Sequence, residues 1–248
     1  MRHRLPYIMI IVALLFCGTS AHADLMDKAK SLLNKDKSKP GGGQADAALD
    51  KDTVAAGLKE ALSIGSQNAV KAGSQPDGYF KNPAIKIPLP EKIQKVEKPL
   101  RKFGLSKQVD EFILTMNRAA EKAAPVAKDI FVGAVKEMTI LDAINILKGG
   151  DTAATDYMRS KTYDKLYGAF KPTVAKAVQE VGVTRAYQGL VDKGKKTRII
   201  KDESLDIDHH VTSKALDGLF YLLGQEEKKI RKDPVARVTD LLKKVFGK

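Results

Sequence analysis

The chain has 248 residues, with 43 lysines and arginines against 30 aspartates and glutamates, a formal net charge of +13, one cysteine and no tryptophan. A length of this order closes a single hydrophobic core. Lysine outnumbers arginine and no basic block is interleaved with aromatics, so the composition argues against a nucleic-acid platform and no nucleic-acid partner is expected.

The first residues, MRHRLPYIMIIVALLFCGTSAHADL, place Arg2 and Arg4 before an apolar run from Tyr7 to Cys17 and a small-x-small site at Ala21-His22-Ala23. This pattern predicts a signal peptide over 1–23, cleaved after Ala23, and hence an exported, periplasmic protein. The apolar run falls short of the roughly 20 residues a transmembrane helix needs, and no later stretch approaches it, so the mature chain is expected to be soluble, without a transmembrane helix. Cys17 leaves one alternative, a lipoprotein acylated at that cysteine, although bulky Phe16 stands where a small residue is wanted. With cleavage after Ala23 the mature chain has no cysteine, which excludes disulfides, thiolate metal sites and a cysteine nucleophile. Its charge is then +11. A basic exported protein meets an acidic envelope component or a membrane surface of anionic headgroups, though charge by itself fixes no partner.

Residues 24–46 read as a short amphipathic helix, DLMDKAKSLLNK, and a flexible linker, KDKSKPGGGQ. A single helical domain is expected over 47–248. Leu49, Val54, Leu58, Leu62, Ile64 and Val70 mark a long first helix that ends where Gly73, Pro76 and Gly78 gather. The stretch GYFKNPAIKIPLPEK (78–92) is different: Pro83, Pro88 and Pro90 bias their neighbours away from helix, so residues 82–90 form an extended Pro-rich strap. Ile85, Ile87 and Leu89 then project to one side, and Lys86, Pro88 and Pro90 to the other. The expected role is structural, each buried side chain contributing about 1.5 to 3 kcal/mol. The alternative is a groove closed by the strap, with Tyr79, Phe80 and Asn82 lining one end.

Pro90 suits the start of a helix carrying Ile93, Val96 and Leu100. Ser106 is the expected N-cap of the next, whose core face is Val109, Phe112, Ile113, Met116, Ala120 and Ala123. Pro125 suits the first turn of a helix with Ile130, Phe131 and Val135, and Thr139 caps TILDAINILKGG, stopped by Gly149 and Gly150. Asp151 opens one segment and Pro172 another; Gly182 separates these from TRAYQGLVDKGKK. A charged loop follows over 195–205, with a brief extended piece at 198–201. The last two helices run from 206 to about 230 and from Asp233-Pro234 through Val238, Leu241, Leu242 and Val245. The expected fold is all-α, a multi-helix globular bundle crossed by one strap.

The stretches GYFKNPAIKIPLP (78–90), MNRAAEKAAP (116–125), MTILDAINIL (138–147), DTAATDY (151–157), VGVT (181–184), TSKALDGLFYLL (212–223) and EEKKIRKDPVARVTDLLKKVFG (226–247) carry a family resemblance. In this order they resemble a bacterial family known as domain of unknown function 4197, from about Ala47 to the C-terminus. The resemblance implies an exported helical domain and no particular activity. It also places a tyrosine where this chain has His210.

Two polar arrangements are candidates for chemistry. On helix 206–224, Val211, Ala215, Leu216, Leu219, Leu222 and Leu223 form the buried face, while Asp206, His210, Ser213 and Asp217 share another stripe. A hydrolase or metal-dependent enzyme would use His210 as a base oriented by Asp206, with Ser213 beside them, or Asp206 and His210 as metal ligands. The opposing reading makes this the solvated face, with Asp206 complementing the helix dipole. His209 and His210 point about 100° apart and do not easily share a metal. On helix 106–123, Asp110 and Glu121 stand about 16 Å apart at 1.5 Å per residue, beyond the roughly 5 to 10 Å of paired-carboxylate glycosidases. Asn117, Arg118 and Glu121 form either a polar pocket or buried network, or a surface ion pair between Arg118 and Glu121. No phosphate-binding glycine loop, HExxH, GxSxG or calcium loop occurs, and no cofactor or metal is expected. The expected function is a non-catalytic binding or structural protein of the envelope. The alternatives are the enzyme just described and a carrier of an apolar ligand such as a lipid, held between helices.

Overall fold

Helix α1 (Lys51–Ser74) begins at Asp50, whose carboxylate accepts from the Thr53 N–H at 2.8 Å, and turns Val54, Leu58, Leu62, Ala69 and Val70 inward. The structure is a computed structural model and describes residues 50–180, 182–196, 205–233 and 236–247. The expected signal peptide with Cys17, the segment 24–46 and the extended piece at 198–201 lie outside the described residues. So do residues 197–204, and the unit Ala48–Lys248 holds everything described below.

After α1 the strap leads into α2 (Glu91–Lys102), α3 (Ser106–Ala123), a 3-10 turn (Ala124–Val126), α4 (Ala127–Glu137) and α5 (Ile140–Lys148). Then come α6 (Ala153–Glu180), α7 (Val183–Lys196), α8 (Ile207–Lys232) and α9 (Asp240–Phe246). The fold is all-α, and among the described residues there is no strand. Helix α8 packs between α1 and α6; α3 lies on α6 and α7; α4, α5 and α9 close on α1. One continuous core runs through Phe112, Phe131, Phe170 and Phe220, with Phe131 meeting Phe220 edge to face at 5.7 Å. No described helix is long and apolar enough to cross a membrane.

Thr139 caps α5 as expected, and the cap is reciprocal: the Thr139 hydroxyl accepts from the Asp142 N–H, and the Asp142 carboxylate accepts from the Thr139 N–H. The Thr139 hydroxyl also donates to the Asp142 carboxylate (2.7 Å), and this bond, then the one from the Thr139 N–H, with Tyr157 and Lys161 adding to them, hold the Asp142 carboxyl below the usual carboxylate range. Ser106, in contrast, is not an N-cap. Helix α2 ends in a Schellman motif in which the Leu105 N–H bonds the Leu100 carbonyl (3.0 Å) and the Gly104 N–H bonds that of Arg101 (3.1 Å). Gly104 takes the left-handed conformation this requires (φ 78°), and buried Leu105 then doubles as the residue from which α3 starts. Ser106 is left as the first helical residue.

Pro172 does not begin a helix either; α6 runs through it. Met158, Thr162, Leu166, Phe170, Val174 and Val178 form an unbroken buried stripe, so core packing keeps the helix continuous across the proline. Pro172 and Gly168, whose carbonyl loses its partner, are both exposed, where solvent satisfies the orphaned oxygen. The last helix starts at Asp240 rather than near Pro234, capped by the Thr239 hydroxyl on the Leu242 N–H (3.2 Å). The preceding residues close the end of α8, where Arg237 donates to the carbonyls of Ile230 (3.0 Å) and Arg231 (2.8 Å).

The strap buries Ile85, Ile87 and Leu89, with Ile87 fully inaccessible, and leaves Lys86 and Pro88 exposed. Its extended part is shorter than expected, covering 86–90, because residues 82–85 form a turn. The Asn82 side chain accepts from the Ala84 N–H (3.1 Å) and its carbonyl from Ile85 (3.2 Å) and Lys86 (2.8 Å), a local alternative that asparagine followed by proline favours. Pro90 is buried instead of facing outward, at the N-cap position of α2. Against α8 the strap meets Gly218, where a Cβ would stand 2.6 Å from Tyr79 Cε1 and 3.2 Å from Ile85 Cβ.

Candidate functional site

Of the polar residues singled out in the sequence, Asn117, Arg118, Glu121 and His210 converge on the strap. Tyr79 is fully buried and its hydroxyl donates to the Ala215 carbonyl of α8 at 2.7 Å. Burial, with the Glu121 carboxylate nearby, pushes this phenol well above its ordinary range, so it remains a donor. From α3, the Asn117 amide pairs with Ile87 as a neighbouring strand would: its Oδ1 accepts the Ile87 N–H (2.8 Å) and its Nδ2 donates to the Ile87 carbonyl (3.0 Å). One turn on, buried Glu121 accepts the N–H groups of Tyr79 (3.1 Å) and Phe80 (3.2 Å) on Oε1.

Its other oxygen binds Arg118 at 2.6 Å, and Arg118 reaches on to Asp77 at 2.5 Å. The ion pair between Arg118 and Glu121 is thus no isolated surface pair but half of a larger, partly buried network that ties α3 to the start of the strap. Asp77 occupies the left-handed region (φ 66°), which aspartate tolerates. Hydrogen bonds from Lys81 and then Arg118 hold its carboxyl below the usual range. Phe80 is half-buried, with the Lys86 ammonium 4.4 Å from its ring centre, while Asn82 is spent on its own turn. Tyr79, Phe80 and Asn82 therefore shape the strap itself.

Helix α8 supplies the remaining pin. The His210 Nε2 lies 2.9 Å from the Pro88 carbonyl, and because a carbonyl only accepts, that nitrogen carries the proton. Asp206 does not orient His210. It is the N-cap of α8, accepting the His209 N–H at 2.8 Å. His209 faces the other way, its Nδ1 2.7 Å from the Tyr167 hydroxyl, so the two imidazoles address different elements. Ser213 is half-buried, Asp217 pairs with Arg159 (3.2 Å), and Asp110 pairs with Arg101 (2.8 Å). Among the described residues no three His, Cys, Asp or Glu side chains are placed to share a metal ion.

Burial is the main cause that depresses the His210 pKa below its ordinary value; Lys214 and His209 add to it, while the Pro88 bond and Glu91 oppose it. The unfolded chain therefore takes up the proton first. The stability that neutral His210 contributes is complete above about pH 6.5 and is lost as pH falls through its lowered folded value. The melting temperature is expected to drop more between pH 7.5 and 5 in the parent than in His210→Gln, whose amide can still donate to Pro88. Parallel profiles for the two proteins would remove His210 from the pH dependence.

What the pins leave open is a ridge, Lys86 to Pro88, with a groove on each side. Toward α8 a space of about 330 Å³ is lined by Ala84, Ile85, Lys86, Lys214, Asp217 and Tyr221 among others. Toward α2 and α3 one of about 520 Å³ is lined by Pro83, Lys86, Leu89, Gln94, Glu97 and Ile113 among others. The apolar recess beneath α9, bordered by Leu58, Leu62, Leu223 and Phe246, holds about 20 Å³, the space of a single water-sized body.

A second buried carboxylate escaped the sequence reading. Glu227 on α8 accepts the N–H groups of Ala154 (2.9 Å) and Thr155 (2.8 Å) and the Thr155 hydroxyl (2.8 Å), capping α6 from another helix. Arg231 pairs with it at 2.9 Å and donates to the Ile146 carbonyl at the end of α5. Its sequence trace is positional: Glu227 follows Leu216, Leu219 and Leu223 on the apolar stripe, where a carboxylate needs a buried partner.

No curated protein and no solved structure matches the chain. A family described as a protein of unknown function, DUF4197, matches residues 48–247, which span the strap, its pins and both buried carboxylates. The chain belongs to that family.

Proposed function

We propose that this is an exported protein of the cell envelope that acts without catalysis, as a binding protein holding an acidic partner on its basic helical surface. The observation that carries this reading is a division of labour. Of the groups with chemical potential, Asp206 is spent on capping α8, and His210, Asn117, Arg118 and Glu121 are spent on backbone atoms or on one another to fix the strap. The excess cations face outward instead: Lys92, Lys95, Lys98 and Lys102 are all exposed along α2, where the acids are Glu91 and Glu97. Outward charge of one sign favours encounter with an oppositely charged surface and is screened by salt. The N-terminal basic, apolar and small-x-small pattern supports export.

Two measurements test the proposal. Cell fractionation is expected to recover a shortened chain outside the cytoplasm; uncleaved cytoplasmic protein would overturn export. Immobilised heparin, used as a generic polyanion, is expected to retain the protein at low ionic strength and release it as salt rises toward 0.5 M, where the Debye length shrinks to roughly 4 Å. Passage through the column at low salt would overturn the acidic-partner reading.

A further inference from the structure

We propose that the corner between α2 and α3 is an anchor for an anionic lipid bilayer, with Phe103 entering the headgroup region and Lys95, Lys98 and Lys102 lying against the lipid phosphates. This rests on the reading of the basic surface given above and names its partner. Phe103 is 63 % exposed, an unusual state for a phenylalanine, and the turn beside it is open: around the Cβ position of Gly104 no atom beyond its own chain neighbours lies within 4 Å.

The helix geometry gathers cations beside it. At 100° per residue, Lys95, Lys98 and Lys102 fall within an arc of about 60°, and Phe103, next to Lys102 in the chain, points about 100° round from it, so that the ring and the lysine stripe flank the same corner from two sides. All three lysines are exposed and, among the described residues, none makes an ion pair. Glu91 shares their stripe at the end far from Phe103, while Glu97 and Asp110 are both taken by Arg101, at 2.9 and 2.8 Å. Lys107 lies in the first turn of α3 nearby, with Glu111 one turn on offsetting its charge. The inward face of α2, Ile93 and Leu100, is committed to the core, so the anchor operates without unfolding anything.

An exposed aromatic with a stripe of ammonium groups on one side matches an anionic bilayer, whose interface accepts an aromatic ring and whose phosphates accept cations. A second copy of the chain is a poor occupant, because it would bring another strongly positive surface to the same place.

The test uses the mature full-length chain in three binding assays: vesicles of phosphatidylglycerol mixed with phosphatidylcholine, vesicles of phosphatidylcholine alone, and soluble heparin. The parent is expected to co-sediment with the phosphatidylglycerol vesicles and not with phosphatidylcholine. Reversal of Lys95, Lys98 and Lys102 to Glu is expected to weaken vesicle binding by at least about a hundredfold, taking about fivefold for each surface lysine lost, with the repulsion of the new carboxylates added to it. Phe103→Ser is expected to weaken it about tenfold through lost apolar burial, while leaving heparin binding unchanged. A control triple of the same charge change at exposed positions, Lys128, Lys148 and Lys171 to Glu, is expected to keep most of the vesicle affinity. Heparin binding without vesicle binding overturns the bilayer anchor and leaves the acidic-partner reading standing; binding to neither overturns both. Vesicle binding that Phe103→Ser does not weaken, or that the control triple weakens as much as the corner triple, overturns the placement at this corner.

Discussion

Ile87→Ala is expected to destabilise the domain by about 2 to 5 kcal/mol, the range for truncating a fully buried aliphatic side chain and leaving part of its volume empty. Ile87 is wholly inaccessible, and its backbone is held on both sides by Asn117, so the strap cannot slide to fill the gap. Lys86→Ala, one residue away on the outer side, is expected to stay within about 0.5 kcal/mol of the parent. Its ammonium lies over Phe80, but that contact is at the surface and contributes little. Thermal or urea unfolding of the two variants decides the matter: equal and small effects would mean that the ribbon is not packed, and residues 78–92 would then read better as a binding loop.

The second large effect is expected at Glu227. Replacement by alanine removes one side chain and strands four partners: the N–H groups of Ala154 and Thr155, the Thr155 hydroxyl, and Arg231. Breaking a buried pair in this way costs about 3 to 5 kcal/mol, because the surviving charge and donors stay desolvated. Neighbouring Glu226 bonds Asn68 and Lys229 at the margin of the same helix, and Glu226→Ala is expected to cost no more than about 1 kcal/mol. Urea titration separates them by midpoint. A Glu227→Ala midpoint as high as that of Glu226→Ala would show that the start of α6 does not depend on its borrowed cap.

The two predictions differ in how they could be reached. The burial of Ile85, Ile87 and Leu89 follows from prolines that hold the chain extended and from alternation within five residues, both of which are local. That Asn117 would complete Ile87's hydrogen bonding was not readable, since Asn117 on a helix flank is equally consistent with a solvated amide. The same holds for Glu121 and Arg118, where the i, i+3 spacing announced their ion pair but not the two strap N–H groups at 79 and 80. His210 shows the limit from the other side: the stripe it shares with Asp206 and Ser213 suggested joint chemistry, whereas packing delivers its imidazole to Pro88, 122 residues away in sequence.

Where a preference acts within one turn of chain, the amino-acid order alone determined the outcome. The reciprocal cap of Thr139 and Asp142, the apolar stripes of α1 and α8, and the inward side of the strap belong here, because sterics and hydrogen bonds between residues two to four apart outweigh most competitors. Tertiary structure decided the rest. It carried α6 through Pro172, because a buried stripe from Met158 to Val178 gains more than the lost hydrogen bond costs. It moved the start of α3 onto Leu105, because the Schellman turn at Gly104 had already used that residue to close α2. And it placed Glu227 over the first turn of α6, a pairing across 72 residues that exists only because α8 and α6 share a core face, which no local preference specifies.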